Sequence, residues 1–245
     1  MNTERKIAIV AGILYIIGTV AGILSVVVTG TVLAAPNSPA QISANANPII
    51  LGALLVLTMG LALAMVPVVM YPILKKYNPV LAMGYVVFRG ALETVTCLIL
   101  AICWLAIVMT ANTFVQAGAV TDSTFQATSA SLLAIGMTSV PLTAIIFSLG
   151  ALMLYFVLFQ ARLLPRWISV WGLVAVIPYF AAAFLGVLGL TDSESAISSL
   201  MFFPMLIQEM VMAVWLIVKG FNPTAIVSGS APSHAPRYQL AQNEA

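Results

Sequence analysis

Charged side chains are scarce in this sequence. Lys, Arg, Asp and Glu make up 7% of its 245 residues, whereas 62% are hydrophobic and the mean hydropathy is +1.12. Soluble domains carry about 25% charged residues, so this composition excludes a soluble globular protein. The formal net charge of +2 is also too small to indicate a nucleic-acid-binding surface. The lipid bilayer is therefore the first expected partner, and nucleic acid is not expected.

Histidine and cysteine are almost as rare as charge. The single histidine, His234, lies in a polar C-terminal stretch, and Cys97 and Cys103 lie in one apolar segment, where we interpret them as packing residues. No cluster of these residues has metal-ligand spacing, so no metal site is predicted. The apolar segments also lack a histidine base, a Gly-rich phosphate loop and paired aspartates. We therefore predict no catalytic residue and no cofactor, and an enzyme is the least favoured class of function.

Long hydrophobic runs are what the sequence has in abundance. A helix needs about 20 apolar residues to cross a bilayer, and runs of this length recur along the chain. The predicted spans are 7–28, 49–74, 80–109, 135–160, 167–190 and 196–218. The predicted fold class is all-α, a polytopic membrane protein whose residues 1–220 form a six-transmembrane-helix bundle. Residues 221–245 are polar and predict a disordered cytoplasmic tail.

The connections between these runs differ in charge. All Lys and Arg residues except Arg89 fall before the first run, after the second and fourth runs, or after the sixth. The opposite connections hold Asp122, Asp192 and Glu194 but no basic residue. Short cytoplasmic loops carry the excess of basic residues, so both termini are predicted to be cytoplasmic. Residues 30–48 are interpreted as a loop, and 111–130 as a loop or a short surface helix.

Two charged residues interrupt the third run. Arg89 and Glu93 stand four residues apart, so they share one helix face and can pair. Each charge costs roughly 3 kcal/mol at the centre of a membrane, and each surrounding Leu, Ile, Val or Phe returns only roughly 0.3 to 0.6 kcal/mol. The third span is therefore marginal unless its charges are compensated. This predicts a polar centre inside the helix bundle.

Glu209 in the sixth run is the third charge expected inside the membrane. Counted from the basic ends of their runs, Arg89 and Glu209 both lie roughly 15 Å deep at about 1.5 Å per residue. We therefore predict that the third and sixth spans are neighbours and that Arg89 pairs with Glu209, with Glu93 beside it or just above it. Glu209→Gln is expected to destabilise the protein more than Glu93→Gln.

Three stretches of the chain resemble a known family. They are Tyr85-Val-Val-Phe-Arg89 with Glu93, Arg162-Leu-Leu-Pro-Arg-Trp-Ile-Ser-Val-Trp-Gly172, and Glu209 with Trp215-Leu-Ile-Val-Lys-Gly220. These residues resemble the bacterial membrane proteins grouped as domain of unknown function 4386, over about residues 5–220. The resemblance implies six helices in a bacterial inner membrane. It implies no substrate and no catalytic residue.

Two functions of different class fit these observations. The favoured one is binding or transport of a small, mostly apolar solute at a polar centre, because ionisable residues inside a membrane are commonly functional and transporters use proline-interrupted helices. The predicted site comprises Arg89, Glu93, Glu209, Gln208 and Tyr85. The alternative is a non-transporting accessory or scaffold protein whose buried charges are structural. A water-accessible cavity at Arg89 favours the first function, and a dry, sealed pair favours the second. Nothing in the sequence indicates an oligomeric state.

Overall fold

Long helices dominate the computed structural model, which describes residues 2–30, 32–33, 38–118, 123–191 and 195–229. Six of them are long and apolar enough to cross a membrane: Thr3–Thr29, Ala46–Leu74, Pro79–Gln116, Ser123–Ala161, Arg166–Val187 and Ala196–Val218. We refer to these helices as the first to sixth spans. No strand occurs within the described ranges. The predicted fold class, an all-α polytopic six-helix bundle, is confirmed.

The six spans form a ring in chain order. Each span packs against the next one along the chain, and the sixth packs back against the first. The third and sixth spans are therefore opposite each other, and in the described part of the chain they do not pack along one another. The prediction that these two spans are neighbours is wrong. Short connections hold consecutive helices side by side, so the two polar spans face each other only across the interior.

At one end of the ring, Arg5 at the start of the first span contacts the end of the sixth span. Its guanidinium nitrogens donate hydrogen bonds to the carbonyl oxygens of Leu216, Ile217 and Val218, at 3.1, 2.6 and 3.1 Å. Carbonyls in the last turn of a helix have no partner within that helix, so Arg5 satisfies the end of the sixth span and joins it to the first. We call this end of the bundle the basic end. It also holds Lys6, Lys75, Lys76, Arg162, Arg166 and Lys219.

Helices extend further into the predicted loops than expected. The third span continues to Gln116, and the fourth begins at Ser123, well before the predicted start at residue 135. Small polar residues are accommodated there because their hydroxyl groups bond to the carbonyls of the preceding turn, as Thr128 does to Thr124 at 2.8 Å. Phe125 is fully buried and contacts Phe114, with 5.6 Å between the ring centroids. This aromatic contact anchors the extended helix to the third span.

A short helix, Pro39–Ala44, lies within the stretch that was interpreted as a loop. Ser38 caps it: the Ser38 hydroxyl accepts from the backbone N–H of Gln41, and the Gln41 side chain accepts from the backbone N–H of Ser38. This reciprocal capping box satisfies two N–H groups that the helix start leaves open. The loop interpretation of 30–48 is therefore wrong for this segment.

The chain continues past the sixth span as a second short helix, Pro223–Gly229, where the predicted disordered tail would begin. Phe221 and Ala225 are buried in the core of the basic end. The Tyr77 hydroxyl donates to the carbonyl of Ala225 at 2.8 Å. Apolar burial and this hydrogen bond hold the segment against the turn between the second and third spans. Four residues named in the sequence analysis lie outside the described ranges: Asp122, Asp192, Glu194 and His234. Arg237, the basic residue that follows Lys219 in the sequence, also lies outside them.

Candidate intramembrane polar site

The third span changes its helical form where it carries Arg89. Residues Val86–Leu92 form a π-helix between two α-helical segments. Such wide turns are rare and occur frequently at functional sites, because they redirect side chains within an otherwise regular helix. The fourth span approaches the π-helical turn closely at Gly150, where an added Cβ would lie 3.2 Å from the backbone nitrogen of Arg89. The missing side chain at Gly150 therefore helps to bury Arg89 in the ring interior.

Three charged side chains meet in that interior. Nη1 of Arg89 donates to both carboxylate oxygens of Glu93, at 2.9 and 3.0 Å, and Nη2 donates to Oε1 of Glu209 at 3.1 Å. The side chains of Arg89, Glu93 and Glu209 are 3%, 7% and 12% exposed. The predicted pairing of Arg89 with Glu209 is confirmed. The two side chains extend from opposite spans and meet in the interior of the ring. These are the two ion pairs found in the described ranges, so Arg89 is the hub of both.

The balance of charge in this cluster is uneven. One guanidinium faces two carboxyl groups, so the cluster carries one excess negative charge when both are ionised. The third nitrogen of the guanidinium, Nε, is buried and has no hydrogen-bond partner among the described residues. Native structures leave few buried donors unpaired, and each exception calls for an explanation.

Aromatic rings surround the cluster. The guanidinium carbon of Arg89 lies 4.4 Å from the ring centroid of Phe147 and 5.9 Å from that of Tyr15. A desolvated cation over an aromatic face gains roughly 2 kcal/mol, so both rings help to offset the burial of Arg89. Phe147 also packs against Tyr179, and Tyr179 against Phe202, with centroid separations of 4.8 and 4.6 Å. The fourth, fifth and sixth spans thus supply an apolar wall beside the charges.

The two uncharged members of the predicted site belong to flanking hydrogen bonds. The hydroxyl groups of Tyr85 and Tyr15 are 2.8 Å apart, which connects the third span to the first. Gln208 accepts from the Tyr155 hydroxyl at 2.5 Å and donates to the carbonyl of Ile168 at 3.1 Å, which connects the sixth span to the fourth and fifth. Within the described ranges, neither Tyr85 nor Gln208 bonds to a charged side chain. Both instead hold the spans that position the charges.

Sequence reasoning missed two residues of this region. Tyr15 pairs with Tyr85 and stacks near Arg89, and Phe147 lies over the guanidinium. A tyrosine in the middle of the first span was an available signal, because a buried hydroxyl requires a partner. Phe147 offered no signal, since nothing distinguishes it from other apolar residues of its span. No group of three or more His, Cys, Asp and Glu side chains in the described part of the chain is placed to hold a metal ion.

Comparison with known families identifies the group to which the protein belongs. A family model described as Domain of unknown function (DUF4386) matches residues 10–220. The chain belongs to the DUF4386 family. The match includes all five residues of the predicted polar site. No curated protein and no solved structure matches the chain. Membership of DUF4386 assigns no activity, so function has to be argued from the geometry of the site.

Proposed function

We propose that this DUF4386 protein is a multi-pass protein of a bacterial inner membrane that binds or transports a small, mostly apolar solute. Its binding centre is built on Arg89, Glu93 and Glu209. The observation that carries the proposal is the buried Nε–H group of Arg89, which has no hydrogen-bond partner among the described residues while both other guanidinium nitrogens bond to carboxylates. An unpaired buried donor costs roughly 1–3 kcal/mol. A solute with an acceptor oxygen removes that cost by binding there.

Glu209 offers the complementary group. Only its Oε1 atom bonds to Arg89, and its side chain is the most exposed of the three charged ones. A solute that carries one hydrogen-bond acceptor and one donor, such as a hydroxyl group, matches the Nε–H of Arg89 and the carboxylate of Glu209. The rest of such a solute would contact Phe147, Tyr179 and Phe202. These rings favour an apolar body over a polar one.

The helices around the centre contain prolines, which supports movement during transport. Proline removes a backbone hydrogen bond and lets a membrane helix bend. Transporters commonly place their sites beside such interrupted helices. Prolines lie inside four spans, at Pro67, Pro72, Pro141, Pro178 and Pro204. Bending at these positions would open the ring beside the charged cluster.

Water access to the centre tests the proposal. We expect Tyr179→Cys and Phe202→Cys to react with a charged methanethiosulfonate reagent, because that reagent modifies thiolates only where water reaches them. Leu206→Cys, on an exposed apolar position of the same span, is the lipid-facing control. The wild-type protein should remain unmodified, since both of its cysteines are buried. Reactivity of both test variants no higher than that of Leu206→Cys would reject a solute-binding centre.

A structural role for the cluster is the second candidate. The observation that favours it is the burial of Arg89 and Glu93, whose pair uses both oxygens of the carboxylate. In this case the protein is a non-transporting accessory or scaffold protein, and the ion pairs hold opposite spans of the ring in register. Unreactive cysteines in the experiment above are the result that this role predicts.

The orientation in the membrane is part of the proposal. The basic end gathers seven of the nine Lys and Arg residues of the chain, which supports a cytoplasmic location for it and for both termini. Reporter fusions after Lys76, Arg166 and Lys219 should therefore read as cytoplasmic. Fusions at Asn37, Asp122 and Asp192 should read as external. One connection on the wrong side would refute the assignment.

A further inference from the structure

A cavity of about 400 Å³ opens at the basic end of the bundle. It lies between the turn that joins the fourth and fifth spans and the end of the sixth span. Three basic residues, Arg162, Arg166 and Lys219, line it together with Trp215. None of its ten lining residues, all in the described part of the chain, is acidic. The cavity is therefore a positively charged recess near a membrane surface. The helix rise from Glu209 to Lys219 is about 15 Å, so the recess is separate from the charged cluster around Arg89.

None of the three cations of the cavity pairs with a carboxylate of the described residues. Both ion pairs of the described ranges involve Arg89, and neither includes Arg162, Arg166 or Lys219. Arg5, which is close by, differs because three carbonyl groups already occupy its guanidinium. Like charges gathered around one recess repel each other, and an anion placed between them reverses the sign of that interaction. The recess thus matches an anionic group in charge.

The backbone around the cavity is held in an uncommon conformation. Arg162 has a φ angle of 52°, which lies in the left-handed region that residues with a side chain rarely adopt. Asn222 fixes this turn from the other side, since its backbone N–H donates to Leu163 at 2.9 Å and its amide donates to the carbonyl of Arg162 at 3.3 Å. Such strain persists only where the surroundings enforce it, and it recurs at ligand sites. The turn is therefore built to hold Arg162 beside the recess.

The aromatic residues next to the cavity place it at the level of lipid headgroups. Trp215, in its wall, makes an edge contact with Trp167 at 6.2 Å between ring centroids, and Trp167 stacks on Trp171 at 6.3 Å. Tryptophan concentrates at the boundary between headgroups and acyl chains. Val170 in the fifth span and Val218 in the sixth span are exposed. A lipid whose headgroup entered the recess could lay its acyl chains along this apolar surface.

We infer that this cavity binds the phosphate group of an anionic phospholipid, held by Arg162, Arg166 and Lys219. Basic pockets between membrane helices recognise such headgroups, and each nearby Lys or Arg contributes roughly fivefold in affinity for an anionic surface. A zwitterionic lipid carries the same phosphate but brings a cation toward three others, so it should bind more weakly. The inference concerns a different surface from the charged cluster and does not depend on solute binding there.

Lipid binding to the purified full-length protein tests this inference. After delipidation, the protein is titrated with phosphatidylglycerol or phosphatidylcholine in mixed micelles, and bound lipid is counted by native mass spectrometry. We expect phosphatidylglycerol to bind at least tenfold more tightly than phosphatidylcholine. Lys219→Gln and Arg166→Gln should each weaken phosphatidylglycerol binding roughly fivefold. Lys76→Gln, an exposed lysine at the same end but outside the cavity lining, is the matched control and should leave binding unchanged.

Three outcomes would overturn the inference. The first is equal binding of the two lipids. The second is an equal loss of binding in Lys76→Gln and Lys219→Gln, which would indicate a diffuse charge effect. The third is displacement of the lipid by millimolar inorganic phosphate, because the site would then recognise a free anion. Arg166→Gln and Lys219→Gln alter exposed side chains, and a thermal melt like that of the wild-type protein would show that each variant is folded.

Discussion

Replacing both glutamates around Arg89 should cost more than the sum of the two single replacements. A hydrogen bond to a charged group contributes roughly 1.5–3 kcal/mol, and a neutral one about 1 kcal/mol. Glu93→Gln weakens two such bonds and should lower the free energy of unfolding by about 2 kcal/mol. Glu209→Gln weakens one and should lower it by about 1 kcal/mol. In each single variant, Arg89 keeps one carboxylate and the cluster is neutral.

The double variant differs because it leaves a buried arginine with no countercharge. Stranding one member of a buried pair costs roughly 3–5 kcal/mol. We therefore expect Glu93→Gln/Glu209→Gln to lose about 5 kcal/mol or more, against about 3 kcal/mol for the sum of the single variants. Adding Arg89→Met should recover most of that loss, since an apolar side chain of similar length removes the stranded charge. Recovery by a third substitution is the decisive feature of this prediction.

The protein contains its own probe for the measurement. Cys97 and Cys103 are both buried and free, so a thiol-reactive dye reports their exposure as the bundle unfolds. Unfolding curves in mixed micelles with increasing sodium dodecyl sulfate give the free-energy differences among the five proteins. Additive losses in the double variant, together with no recovery on adding Arg89→Met, would refute the view that both glutamates compensate one arginine.

Two further predictions follow from the hydrogen bonds and the burial described above. Tyr15→Phe and Tyr85→Phe should each lower the free energy of unfolding by about 1 kcal/mol in the same assay. The double variant should lower it little further, because both changes remove the same hydrogen bond. Fully additive losses would contradict this. A chain that ends at Gly229 should melt like the full-length protein. A chain that ends at Gly220 should be about 2 kcal/mol less stable, because it loses the buried ring of Phe221. Equal melting temperatures for the two truncated chains would show that the segment after Gly220 does not pack against the bundle.

The sequence predicts the number and type of helices well because each has to match the thickness of a bilayer. Apolar length therefore identifies every span independently of tertiary structure. The ends of the helices are predicted less well, because small polar residues are compatible with either helix or loop. The start at Ser123 depends on the burial of Phe125, a tertiary contact. The capping box at Ser38 and Gln41 was legible in the sequence, and its Ser-x-x-Gln spacing predicts the short helix.

The charged cluster, too, was predicted from the sequence only in part. Counting residues from the ends of two spans placed Arg89 and Glu209 at one depth, and the pair is present. Depth does not reveal the position of a helix around a ring, so the opposite placement of the two spans was missed. The sequence-based ranking of the two glutamates rested on depth alone. Depth favoured Glu209 as the main partner, whereas the geometry gives two hydrogen bonds to Glu93 and one to Glu209. We therefore expect Glu93→Gln to be the more damaging single variant.

The ion pair between the third and sixth spans has a consequence for the synthesis of the protein and its insertion into the membrane. Glu209 follows Arg89 by 120 residues, so at about 5–20 residues per second it is synthesised roughly 6–24 s later. During that interval the third span has to enter the membrane with Glu93 as its nearby countercharge. The pair within one helix therefore accompanies the arginine through insertion, and the partner across the ring joins it when the last helix arrives. Glu93→Gln should accordingly lower the membrane-insertion efficiency of an isolated 79–116 segment in a translocon assay; an efficiency equal to that of the wild-type segment would assign Glu93 to the assembled bundle alone.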